Sequence, residues 1–200
     1  MRTALGLALL LALAQPAFAD DKDKKADLPV KAKLVAAKTT YALDLQGMTA
    51  EDFRKAIEDG VKSGKTPKPP AVDLTLELTN TSDKDVTIWI KGDATRVLLD
   101  LKGKGAVSVT PRRAFTRIFY QPVEMKLAPG KTHAIKIASL QYGFRGVAQE
   151  AFWTEPGEYT LTASFTTALS PAPPGSKETG KGFGTVSLSA EPIKIKVEAK

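Results

Sequence analysis

The stretch Trp153-Thr-Glu-Pro-Gly-Glu-Tyr-Thr-Leu-Thr-Ala-Ser-Phe165 admits few structures. Tyr159, Leu161, Ala163 and Phe165 recur at every second position, with Glu158, Thr160, Thr162 and Ser164 between them. A period of two puts the apolar set on one face of a strand and the polar set on the other. Pro156 presets φ for one turn position, and Gly157 tolerates positive φ at the next. A type II turn is therefore expected to lead into the strand. The rest of the chain must supply a second apolar face to cover this one.

The first nineteen residues have the layout of an export signal. Arg2 is the charged end, Ala4 to Ala14 the apolar run, and Ala17-Phe18-Ala19 the small-residue cleavage site. The run is short for a bilayer span and is followed at once by Asp20-Asp21-Lys22-Asp23-Lys24-Lys25. Residues 1–19 thus read as a signal peptide, 20–32 as a charged flexible leader and 33–200 as one domain. Export to the periplasm or the exterior is expected, with no membrane span in the mature chain. Of the 200 residues none is cysteine, which excludes disulfides, thiol catalysis and a lipid-modified cysteine after the signal. The net charge of +7 suits an acidic polysaccharide or an envelope protein as partner. Export makes nucleic acid an improbable partner whatever the charge.

Strand patterns recur along the chain. Tyr41, Leu43 and Leu45 alternate within Lys33 to Leu45. Val72, Leu74, Leu76 and Leu78 alternate with Asp73, Thr75, Glu77 and Thr79, and Val86, Ile88 and Ile90 follow after turn formers. Shorter candidates are Val97 to Leu101, Ala106 to Val109, Phe115 to Tyr120 and Val123 to Leu127. His133, Ile135 and Ile137 share a face, and Val186 to Val197 closes the set with a kink at Pro192. Residues 49–62 break this rhythm. Thr49 is placed to cap a helix, Glu51 and Asp52 suit its positive end, and Phe53, Ala56, Ile57 and Val61 form one stripe. That helix is expected to cover an open end or edge of a sandwich. The fold class is all-β: an immunoglobulin-like antiparallel β-sandwich with one short inserted helix.

A Pro-Gly turn followed by a tyrosine near the start of a strand resembles the tyrosine corner of immunoglobulin-like domains. Trp89, and Leu161 two residues after Tyr159, stand where such domains carry a core tryptophan and a cysteine. Leu78-Thr-Asn-Thr-Ser-Asp-Lys84 resembles a hairpin between the second and third strands of bacterial sandwiches. With Leu127-Ala-Pro-Gly-Lys131 and Pro156-Gly-Glu-Tyr-Thr-Leu161, it is similar to the intracellular proteinase inhibitor type. That resemblance implies an inhibitory loop, for which Ser170 to Gly182 is the candidate. The export signal and the helix depart from that family.

No catalytic, cofactor-binding or metal-ligating motif emerges. His133 has no nucleophile elbow to serve. Glu150 and Glu155 are the carboxylates to inspect, with an ion pair as their simplest use. Asp83, Asp85 and Asp93 lack calcium-loop spacing, and Met48, Met125 and His133 lie too far apart to read as a copper motif. A metal-binding or hydrolytic protein is therefore the remoter alternative. The candidate binding surface joins the basic and aromatic run Arg112 to Tyr120 with the aromatic loop Tyr142 to Trp153. Arg113, Arg117, Tyr142, Phe144 and Arg145 are its expected ligand-binding residues. The competing possibility is that the aromatics of Tyr142 to Trp153 are core. The expected function is a non-catalytic structural or binding module at the cell envelope, taking a polypeptide or a glycan.

Overall fold

The computed structural model describes residues 27–111, 118–143 and 148–199. Its elements are β1 (Val30–Ala36), β2 (Thr40–Ala42), α1 (Ala50–Ser63), β3 (Ala71–Asn80), β4 (Val86–Lys91), β5 (Arg96–Gly103), β6 (Ala106–Val109), β7 (Val123–Leu127), β8 (Thr132–Ser139), β9 (Gln141–Tyr142), β10 (Gln149–Trp153), β11 (Gly157–Ser170), β12 (Lys177–Gly180), β13 (Phe183–Ser189) and β14 (Ile193–Glu198).

The strand read first in the sequence is the axis of the larger sheet. β11 pairs along one edge with β14 and then β13, and along the other with β5 and then β4. β13 and β14 form one line on that edge. The kink expected at Pro192 separates them, and the Ala190 amide bridges the gap to the Ala163 carbonyl at 2.8 Å. On the opposite edge β4 and β5 are likewise successive, but the line bulges. The nine residues from Ile88 to Arg96 lie against only four on β11, Leu169 to Thr166. β7 continues the sheet beyond β4, and β2 lies parallel to β14.

A second sheet, β1-β3-β8, faces this one. Val30, Leu34, Leu74, Leu76, Leu78 and Ile137 meet Ile88, Leu99, Leu161, Phe165, Leu188 and Ile195 in a single core. A sheet ordered β1-β3-β8 opposite one ordered β7-β4-β11-β13/β14 matches the arrangement of immunoglobulin-like sandwiches. A small third sheet, β6-β10-β9, is appended beside the end of β5 and the start of β11.

The two Pro-Gly sites both lie at crossings between sheets. At Pro129-Gly130, φ of Gly130 is 69°, and the Lys131 amide bonds the Ala128 carbonyl at 3.0 Å, as a type II turn requires. Pro156-Gly157 is different. Gly157 has φ 154°, far from the 80° of a type II turn, and the corner is held by a side chain instead. The Tyr159 hydroxyl donates to the Glu155 carbonyl at 2.7 Å, which is a tyrosine corner.

Leu78 to Val86 is not a hairpin. β3 belongs to the smaller sheet and β4 to the larger, so the connection is an arch. Asn80 builds it. Its fully buried amide donates to the carbonyls of Lys84 and Leu127, each at 2.7 Å, while its Oδ1 accepts from the Ser82 amide and hydroxyl. Its backbone bonds Gly130 and Lys131 of the neighbouring turn. Trp89 also departs from expectation. It lies opposite the core face of Ile88, is half-buried, and stacks on Phe183 at 5.0 Å. Trp153 occupies the core instead, against Tyr41 and Tyr159.

Asn80→Ala removes the buried donor to the Leu127 carbonyl and the part-buried one to Lys84, and is expected to cost about 2 kcal/mol in urea unfolding. A loss under about 1 kcal/mol would refute the arch's dependence on Asn80. Trp89→Phe probes the opposite case, because the indole Nε1 is buried with no hydrogen-bond partner among the described residues. That variant should unfold within about 1 kcal/mol of the parent, since the stack survives and an unbonded donor is removed.

Candidate functional site

Helix α1 and the third sheet build a platform beside the sandwich. Thr49 Oγ1 accepts from the Asp52 amide at 3.1 Å, and Gly64 ends the helix at φ 74°. The buried stripe is Phe53, Ile57 and Gly60, packed on Phe152 with Leu45, Val107 and Val109 in support. Glycine is required at position 60 because a Cβ there would stand 2.6 Å from the Thr66 Cα. The helix therefore covers the appended sheet rather than the mouth of the main sandwich.

The two carboxylates singled out in the sequence fasten this platform. Glu150 is fully buried and accepts from Thr66 Oγ1. Glu155 forms ion pairs with Arg54 and, at 3.0 Å, with Lys104. Hydrogen bonds from Lys104 and then Arg54 hold the Glu155 carboxyl below its ordinary range. Arg54 also donates to Thr154 Oγ1 at 2.9 Å. His133 is half-buried on β8, opposite Leu78 of β3.

Of the five residues expected to bind ligand, Arg113, Arg117, Phe144 and Arg145 lie outside the described residues. Tyr142 is described, and it is buried in the third sheet, paired with Gln149. Burial raises the pKa of its phenol. The nearby Asp100 charge adds to this, and a hydrogen bond with Ser108 partly offsets it. Phe152 and Trp153 are buried as well, so the described aromatics of the 142–153 loop are core.

The exposed apolar surface lies instead at the end of the run that began at Arg112. Ile118, Phe119 and Tyr120 are each 59% exposed, and Val123 at the start of β7 is 48% exposed. Tyr120 is tied by its backbone to the bulge between β4 and β5. The Asp93 amide bonds the Tyr120 carbonyl, and the Tyr120 amide bonds Asp93 Oδ2, both at 3.1 Å. Gly92, at φ 104°, lets the bulge between β4 and β5 press against Gln121 and Pro122, where a Cβ would come within 2.6 Å. Exposed aromatic and aliphatic side chains close together in sequence have the composition of a binding hot spot. The sequence signal was present at Phe119 and Tyr120. Their exposure was not, because alternation over Phe115 to Tyr120 reads equally well as a buried strand.

A cleft of about 450 Å³ opens between Lys38, Tyr41, Asp44, Lys68, Pro70 and Trp153. Its two aromatic rings are only 4% and 3% exposed, so it presents lysines rather than a stacking face. The Ser170 to Gly182 loop is partly ordered as the β12–β13 hairpin. It shares an end of the sandwich with the Asn80 arch, since Thr87 pairs with Ser170.

By its strand order and corner the chain is an immunoglobulin-like sandwich module. No family model and no curated protein matches it in sequence. Three solved structures show limited likeness. Native Escherichia coli alpha-2-macroglobulin is 18% identical at a TM-score of 0.36 over 86% of this chain, which spans 7% of that protein's length. The cupredoxin domain of amoB from Nitrosocaldus yellowstonii is 12% identical, with a TM-score of 0.29 and coverage of 86% and 89%. The PapD-like domain 7 of human CEP192 is 10% identical, with a TM-score of 0.26 and coverage of 99% of both chains. At these scores none of them bears on function.

The Glu155 cluster has a pH signature. A depressed carboxyl contributes stability that is present above its ordinary value of 4.5 and is lost as pH falls through the folded-state value. Glu155→Gln should therefore be less stable than the parent at pH 7 and converge with it at strongly acid pH. Urea midpoints that stay equally separated from pH 7 to pH 2 would refute the assignment.

Proposed function

We propose that this chain is an exported, non-catalytic binding module of the cell envelope. Its partner is an extended polypeptide, which docks along Ile118–Val123 and the adjoining edge of β7. The observation that carries this reading is the run of three consecutive large apolar side chains, each 59% exposed, on a hydrogen-bonded frame. Monomeric proteins seldom present such a patch without a use for it. Among the described strands β7 pairs only with β4, so its outer edge offers backbone groups to an incoming strand. A polypeptide uses both features at once. A glycan would use the rings of Phe119 and Tyr120 but leave the strand edge and the aliphatic side chains of Ile118 and Val123 unanswered. The arginines at positions 112, 113 and 117 precede the strip in sequence and favour acidic residues in the partner.

The test is an array of 15-residue peptides probed with the parent and with Phe119→Ala and Tyr120→Ala. Binding should favour apolar peptides with acidic flanks. Each substitution should weaken it by about 2 kcal/mol, or roughly thirtyfold. Both side chains are exposed, so the unfolding transitions of the variants should match the parent. Failure of the parent to bind any peptide, or binding indifferent to both substitutions, would refute this placement.

A further inference from the structure

The outer edge of β7 is complementary to itself in charge, and it continues into the exposed strip of Ile118 to Tyr120. Its sequence is Val123-Glu-Met-Lys-Leu127, with Glu124 and Lys126 exposed on one face and Met125 and Leu127 turned inward on the other. Consider two copies paired antiparallel about a two-fold axis through Met125. Glu124 of each copy then lies opposite Lys126 of the other, and Val123 lies opposite Leu127. An isologous interface demands this kind of self-match, and opposite charges facing across a strand pair are favourable. Lys126 already bonds Asp85 at 2.6 Å, but an ammonium has three donors and can serve a second carboxylate.

The same register decides where the exposed strip goes. Ile118 to Pro122 run on beyond β7 and fall opposite residues 128 to 132 of the other copy. There the partner chain turns at Pro129-Gly130 towards its smaller sheet. Pro129 is exposed and a Cβ at Gly130 would meet nothing within 4 Å, so the turn leaves room for Phe119 and Tyr120. Resting on the reading of this edge as a binding surface, we propose that a second copy of the chain occupies it, forming a symmetric dimer through β7–β7 pairing. The four exposed side chains would each bury about 100 Å², or roughly 400 Å² per protomer, on the areas usual for large apolar groups. That is about half the surface each partner contributes to a standard interface, so the dimer is weak and responds to concentration.

Sedimentation velocity of the full chain over a hundredfold range of concentration tests this, with circular dichroism confirming that each variant folds. The parent should pass from monomer to dimer. Glu124→Lys and Lys126→Glu should each weaken association at least tenfold, because like charges then face across the axis. An equimolar mixture of the two variants should recover the dimer, since every facing pair is again opposite in sign. Phe119→Ser should weaken it independently of charge. A parent that stays monomeric throughout overturns the dimer but leaves peptide binding on the array intact. A dimer that ignores the charge changes, or a mixture that fails to recover, overturns the β7 pairing itself.

Discussion

β11 is bonded on both edges for most of its length, and the rest of the sandwich is arranged by that fact. Its inner face buries Tyr159, Leu161, Ala163 and Phe165 almost completely, and four other strands take their register from its backbone. A slip of one residue would turn all four side chains to solvent. What prevents the slip is the corner before the strand. The Tyr159 hydroxyl reaches back four residues to the Glu155 carbonyl, so the first inward side chain is tied to the segment it must follow.

Polar side chains at the corners couple parts of the molecule that apolar packing alone would leave independent. Glu155 supplies its carbonyl to the tyrosine corner and its carboxylate to Arg54 on α1 and Lys104 between β5 and β6. The small core of Phe53, Ile57 and Phe152 is thereby fastened to the first residues of β11. Asn80 plays the matching part elsewhere. One side chain serves the β3–β4 arch and the end of β7, and its backbone meets the turn between β7 and β8. Both sheet crossings near that point therefore depend on a single buried amide. Such a group is tolerated in a core only because its amide hydrogens and its oxygen both find partners.

Local chemistry was readable in the sequence wherever one residue type has one use. Thr49 as helix cap, the kink at Pro192 and the alternation of β3 and β11 all follow from steric and hydrogen-bonding preferences of the residues themselves. What could not be read depends on which sheet a strand joins. Leu78 to Val86 has the composition of a hairpin, and only the inward-pointing Asn80, bonded to Leu127 47 residues away, makes it an arch. Trp89 is expected in the core only by its likeness to the immunoglobulin tryptophan, and burial of Trp153 is one of two open readings. Trp89 shares β4 with Val86 and Ile88 but has the wrong parity for the core, while Trp153 is drawn inward by Tyr41 and Tyr159. The candidate surface was legible only in part. Arginines and aromatics near Arg112 to Tyr120 mark it, but the exposure of Ile118 to Tyr120 comes from Asp93 and Gly92, on a bulge that no local pattern announces.

Strand edges in this molecule are treated in different ways. An exposed edge invites pairing, and proteins discourage it with short strands or with charges of one sign. β2 has three residues, and β12 has four, all exposed. β1 is longer but carries Lys31 and Lys33 exposed on one face, so two copies paired antiparallel about Ala32 would set lysine against lysine. β7 carries one charge of each sign, two residues apart, as β5 does at Asp100 and Lys102, but β7 also adjoins the exposed apolar side chains of Ile118 to Tyr120. The spacing converts the usual deterrent into a match for an antiparallel copy of the same strand, and leaves a mismatch for any partner that sets like charges opposite Glu124 and Lys126. Charge pattern therefore selects the partner of this edge while the strip beside it supplies the buried area.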